Sequence, residues 1–200
     1  MEYKSFLQLK GKAGLKAAID AFFEEVRRLF AEQGVTRQGL TLLGEELGKL
    51  ATVVYGVKGS NEETAGFTGP SRVLRTDPDG LTLVQVRFTS PREANAVHEH
   101  RVWWVLRMIN GQEYYSEWER LDDGTREGYA ELRQGERGLL GPGDVLIALG
   151  PVIHLHEDYQ GQTCDELMLL GENPGLNPFR RFDPEARTVF EAPPRNYDKL

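Results

Sequence analysis

The sequence predicts an all-β barrel or sandwich preceded by an N-terminal helical extension. Beyond residue 70, short runs rich in Val, Leu, Trp and Tyr alternate with turn signals such as DPDG, NGQ, DDGT and GPGD. Ahead of them, apolar residues recur every three or four positions, the period of a helix buried on one face. Finally, the only four histidines of the 200-residue chain fall into two H-x-H pairs, and each pair sits in an apolar run.

The helical part comes first. Residues 13–33 place Leu15, Ile19, Phe22, Phe23, Val26, Leu29 and Phe30 on one stripe. Gly34 ends that helix, and Thr36 is positioned to N-cap a second one carrying Leu40, Leu43, Leu47, Leu50 and Val54. The chain then divides into helices over 1–57, a Gly-rich polar linker over 58–70, a barrel over 71–186 and an extended tail over 187–200.

The strand candidates are LTLVQVRF, VWWVLRMI, QEYYSEWERL, GYAELRQ, DVLIAL, VIHLH and ELMLLG. MINGQEYY reads as a hairpin turning at Asn110–Gly111. Strand alternation sends one of Trp103 and Trp104 to the barrel interior and the other toward the helices.

Composition narrows the function classes. A net charge of −7 speaks against nucleic acid and against an anionic membrane as partners. No apolar run reaches the roughly eighteen residues that span a bilayer, and the first residues lack the apolar core of a secretory signal. Cys164 is the only cysteine, so no internal disulfide forms; it reads as a spare thiol and the cytoplasm as the expected compartment.

Alternate residues of a strand share a face, so His98 and His100 point together, as do His154 and His156. Imidazole is the commonest neutral metal ligand and suits Fe, Zn, Cu and Ni. Three ligands leave a metal open positions for chemistry. Glu99 points away from its histidine neighbours, whereas Glu117 and Glu119 can approach from the next strand and offer a mixed His/Glu set.

VHEHRVWWVLRMINGQEYY followed by GPGDVLIALGPVIHLH resembles the two metal-binding motifs of a cupin, and more narrowly those of the cysteine dioxygenase-type thiol dioxygenases. The likeness runs from about residue 70 to 185 and includes LMLLGENP and FRRFDPEA near its end. It implies a double-stranded β-helix barrel. General cupins carry a glutamate ligand four residues after the second histidine, and here that position is Trp104. The resemblance therefore implies Fe(II), with Zn, Mn and Ni as alternatives, held by His98, His100 and His154. His156 is then a group supporting the ligands, or an alternative third ligand.

The implied activity is oxidation of a small thiol carboxylate by dioxygen to its sulfinate. The alternative is a metal-binding cupin without oxygenase chemistry, either a small-molecule binding module or a Zn, Mn or Ni isomerase or hydrolase. The family holds its substrate's carboxylate with an arginine upstream of the first barrel strands, which corresponds to Arg72. Its His-x-Tyr pair on a late strand reads Met168 and Leu170 here, and no cysteine lies near Trp104 for a tyrosine crosslink. These departures imply a more apolar pocket that favours a substrate without an ammonium group. Tyr115, Tyr129 and Tyr159 are the tyrosines available to supply a hydroxyl.

Overall fold

In the computed structural model, which describes residues 12–55, 71–88, 96–194 and 198–199, two helices open the chain: α1 (Lys12–Gln33) and α2 (Arg37–Val54). Both follow the expected stripes. Gly34 stops α1 with φ +64°, a conformation costly for a residue with a Cβ. Thr36 then caps α2, its hydroxyl accepting from Gly39 N at 3.1 Å. The linker expected over 58–70 lies outside the described residues.

Twelve strands follow among the described residues: β1 (Ser71–Thr76), β2 (Thr82–Phe88), β3 (Val97–His100), β4 (Trp104–Asn110), β5 (Glu113–Arg120) and β6 (Leu132–Leu140). The second half is β7 (Val145–Ala148), β8 (Val152–Asp158), β9 (Cys164–Leu170), β10 (Phe179–Asp183), β11 (Thr188–Ala192) and β12 (Asp198–Lys199). They form two six-stranded sheets, β12-β1-β2-β9-β4-β7 and β11-β10-β3-β8-β5-β6. From β3 to β4, β4 to β5, and at each step from β6 to β10, the chain crosses from one sheet to the other. This is the double-stranded β-helix, the cupin barrel. Within the segment expected as a tail, β11 pairs with β10, and β12 adds to β1 in parallel.

The crossing corrects one expectation. MINGQEYY is not a hairpin, because β4 pairs with β7 and β9 while β5 pairs with β6 and β8. Asn110–Gly111 is a corner between sheets. Gly111 holds φ +75° there, and a Cβ on it would lie 2.1 Å from the Thr163 carbonyl oxygen. A turn signal in the sequence marks a change of direction without saying which strand comes next.

Period-two alternation sorts the first sheet into two faces. Leu83, Val105, Leu167 and Leu169 point out beneath the helices, where they join Phe22, Phe23, Val26, Leu40, Leu43, Leu47 and Leu50 in one core. Val84, Trp104, Leu106, Met108, Met168 and Leu170 point into the barrel. Strand β9 is buried along its whole length because both of its faces are covered. Each fully buried Leu or Phe contributes about 1.5–3 kcal/mol, so the helices are part of the folded unit. Asp77, in the β1–β2 turn, accepts from Arg27 of α1 and from Arg75, which also reaches Asp20 of α1 at 2.6 Å. Trp103 meets Phe30 of α1 edge to face, with centroids 5.3 Å apart, while Trp104 faces inward.

Candidate metal centre

The second sheet brings the histidines together. Strands β3 and β8 are antiparallel with His98 opposite His154 and His100 opposite Val152. That register places His98, His100 and His154 on the interior face, each at most 5% exposed, with one ligand atom of each within 4.8 Å of the others. The ring centroids are 4.3 Å apart for His98–His154, 5.2 Å for His98–His100 and 5.5 Å for His100–His154.

Two of the rings are fixed through their inner nitrogen. His98 Nδ1 lies 3.0 Å from the Ala96 carbonyl oxygen, and His154 Nδ1 lies 2.9 Å from that of Val152. A carbonyl only accepts, so each Nδ1 carries the proton and each Nε2 keeps its lone pair. Metal-binding histidines are held in this way, the hydrogen bond setting both tautomer and ring orientation. Trp104 packs against the same group, 5.2 Å from the His154 ring and 6.5 Å from the His100 ring. Among the described residues its buried indole N–H has no hydrogen-bond partner, and a bound acceptor beside the imidazoles is what would satisfy it. The residues present fit a divalent transition metal.

The other predicted residues separate. His156 faces the same way, but its Nδ1 lies 2.6 Å from Glu113 Oε1. With Glu113 and Glu166 it makes a second buried cluster, ligand atoms again within 4.8 Å of one another. Sequence reasoning passed over Glu113 and Glu166. The signal was available: Glu166 shares a face with Met168 and Leu170 in the run ELMLL, a charged residue where an apolar one is expected.

Arg72 is a correction. Its partners in register across the first sheet are Gln85 and then Leu167, a helix-facing row, whereas Val73 pairs with Val84 on the interior row. Arg72 is buried and donates from Nη2 to Gln85 Oε1 at 2.8 Å. It lies on the far side of the sheet from the triad and cannot anchor a ligand there.

Of the three tyrosines, Tyr115 is in the barrel, its ring 5.9 Å from His154 and 5.3 Å from His156. Tyr129 bridges to Thr188, and Tyr159 stacks edge-on against Tyr114. Tyr115 donates to Glu117 Oε1 at 3.2 Å. Burial first, and then the Glu117 charge, hold its hydroxyl far above the usual phenol range, so it is a neutral donor. Glu117 stands opposite His154 in register on the same face, and is exposed. Glu119 pairs with Arg133 at the surface, and Glu99 pairs outside with Arg180. Met168 and Leu170 line the interior with Val84 and Leu106. Cys164 is fully buried in that lining and donates to the Gln112 carbonyl at 2.9 Å.

No family model and no curated protein matches the chain. Similar solved structures include a cupin-like protein from Thermotoga maritima, 14% identical over 59% of this chain and 83% of that one, with a TM-score of 0.39. KdgF from Halomonas sp. is 16% identical over 53% of this chain and 84% of its own, with a TM-score of 0.35. An oxalate oxidase in complex with glycolate is 16% identical over 54% of each chain, with a TM-score of 0.37, so this chain spans about half of it. Likeness at this level adds nothing to the barrel read from the strand order. Among the described residues, no helix is long and apolar enough to cross a membrane.

Proposed function

We propose that this cupin is a mononuclear iron(II) oxidoreductase that oxidises a small thiol with dioxygen to the sulfinate, both oxygen atoms ending on sulfur. One observation carries the reading: three imidazoles converge, with Trp104 packed beside them at the sequence position where the resembled cupins carry a carboxylate. When bound, iron(II) would supply the redox chemistry between a thiolate and dioxygen, and three neutral ligands leave it more attractive to an anionic thiolate than a carboxylate-bearing set.

The chain's own groups support this in distinct ways. The Ala96 and Val152 carbonyls hold two Nε2 lone pairs toward one point. Trp104, Leu106, Met168 and Leu170 exclude water from the inner side, which strengthens every electrostatic interaction there. Tyr115 keeps its proton at neutral pH and presents a hydroxyl beside His154 without adding charge. A second reading has its own observation. Glu117, opposite His154, can complete a three-His, one-Glu set suited to Zn or Mn and to hydrolysis or isomerisation.

Oxygen uptake separates the two. Protein purified without oxygen and loaded with iron is mixed with 3-mercaptopropionate, and dioxygen consumption is followed together with product mass. One dioxygen consumed per sulfinate formed is the expected result. Iron bound near one per chain with no uptake for any small thiol would remove the oxygenase reading and favour the Glu117 set.

A further inference from the structure

We propose that the indole N–H of Trp104 is the hydrogen-bond donor for the exogenous ligand that completes the three-histidine centre, and that it selects an anionic, acceptor-only ligand there. The proposal rests on the metal reading above but not on the thiol chemistry. Residue type is the starting point. Where the resembled cupins carry a carboxylate, an acceptor that itself binds the metal, this chain carries an indole, which only donates. The polarity at that position is reversed, from an anionic protein ligand to a neutral donor for whatever ligand takes the open position.

Local structure holds the indole inside the barrel. Trp103 packs outside on Phe30, and its carbonyl accepts from Gly171 N at 3.1 Å, so alternation turns Trp104 inward. In register, Trp104 lies between Ala148 of β7 and Leu170 of β9, and the small Ala148 makes room for the large ring. From there the ring comes within 5.2 Å of His154 and 6.5 Å of His100, and the residue is 1% exposed. Among the described residues its N–H has no hydrogen-bond partner, whereas the Tyr115 hydroxyl nearby is already given to Glu117 at 3.2 Å. The adjoining lining of Leu106, Met168 and Leu170 has no side-chain N–H or O–H to offer. An unmatched donor is disfavoured in such surroundings, and the same low dielectric strengthens its bond to a charged acceptor. A thiolate sulfur, a carboxylate oxygen or an azide nitrogen accepts this bond and keeps a further lone pair for the metal. An amine uses its single lone pair on the metal and leaves the indole N–H unmatched.

The test uses azide as the anion and zinc as a diamagnetic metal, so that proton NMR signals stay sharp. Zinc content is measured for every sample. The three tryptophans give three indole N–H resonances. That of Trp104 is identified by its loss in Trp104→Phe or, should that variant not fold, by elimination with Trp103→Phe and Trp118→Phe. Azide should move the Trp104 resonance downfield in zinc-loaded wild type and leave it in place in metal-free protein. Calorimetry should show azide binding about tenfold weaker in zinc-loaded Trp104→Phe, the scale of one hydrogen bond to a charged acceptor. Trp103→Phe removes an indole from the outer face and should bind azide as wild type does. An unmoved Trp104 resonance at saturating azide, an equal shift without metal, or equal affinity in wild type and Trp104→Phe overturns the donor and leaves the triad standing. Zinc bound at one per chain with no azide affinity also overturns it, since no open position is then served. Zinc absent from wild type removes the metal reading, and the proposal falls with it. Azide carries no sulfur and zinc does no redox chemistry, so none of these outcomes depends on the oxygen-uptake result.

Discussion

His98 and His154 stand opposite one another on neighbouring strands, ring centroids 4.3 Å apart, and each gives its Nδ1 proton to a backbone carbonyl two residues earlier in its own strand. The pairing is symmetrical and local. Each H-x-H strand carries its own tautomer lock, so the donor geometry depends on the register of two strands and not on a distant loop.

Alanine at His98 or at His154 should therefore abolish metal binding and leave the barrel folded. The helix-facing core and the barrel lining are built from other residues, and a truncated buried imidazole costs about 1–3 kcal/mol. Elemental analysis and thermal unfolding, run on the same samples, check both halves. Full metal occupancy in either variant would sink the ligand assignment.

Alanine at His156 should behave differently. Its Nδ1 is engaged by Glu113, and its cluster with Glu113 and Glu166 is separate from the triad. The expected outcome is unchanged metal content with stability lower by about 1–3 kcal/mol, because buried Glu113 loses its imidazole partner. Loss of metal in His156→Ala, with His154→Ala still loaded, would reverse the choice of third ligand.

Much of the barrel was legible in the sequence because alternation and turn residues are local signals. The two helices, Gly34, Thr36 and the opposite directions of Trp103 and Trp104 all follow from residues a few positions apart. The triad was legible in part, since H-x-H spacing fixes a common face but not which strands meet. What the sequence does not carry is register. Arg72 and Val73 are adjacent, and only the pairing of β1 with β2 decides that Val73 faces the barrel. Arg181 comes level with His98 across 83 residues of chain, and no local pattern announces that. The Gly111 corner failed for the same reason, a turn signal being shared by hairpins and by crossings.

That corner has its own test. Gly111→Ala forces a Cβ into a position 2.1 Å from the Thr163 carbonyl oxygen, at a backbone angle that L-residues rarely adopt. That oxygen is main chain and the β4–β5 link must shift, so destabilisation of about 2–4 kcal/mol is expected. Chemical denaturation measures it. A change under about 0.5 kcal/mol, the level of an ordinary surface substitution, would show that the corner is not held as described.

The alkaline limb of stability follows from two tyrosines. Tyr55, at the end of α2, donates its hydroxyl to the Glu166 backbone carbonyl at 3.0 Å and so ties the helices to β9. Burial first, and then the Asp165 charge, raise its pKa far above the usual value; burial and Glu117 do the same for Tyr115. In the unfolded chain both titrate near pH 10. Above that pH the unfolded chain releases two protons that the folded chain retains, so unfolding gains free energy. The stabilisation from these groups is thus fully present below about pH 10 and is lost as pH rises beyond it toward the folded values. Urea midpoints should accordingly fall above about pH 10, and Tyr55→Phe should blunt the fall at a cost of about 1 kcal/mol at neutral pH for the lost hydrogen bond. Absorbance at the phenolate band gives an independent reading, since Tyr55 and Tyr115 should ionise only as the circular dichroism signal is lost. If every tyrosine titrates near pH 10 while the protein stays folded, the two hydroxyls are not enclosed as described.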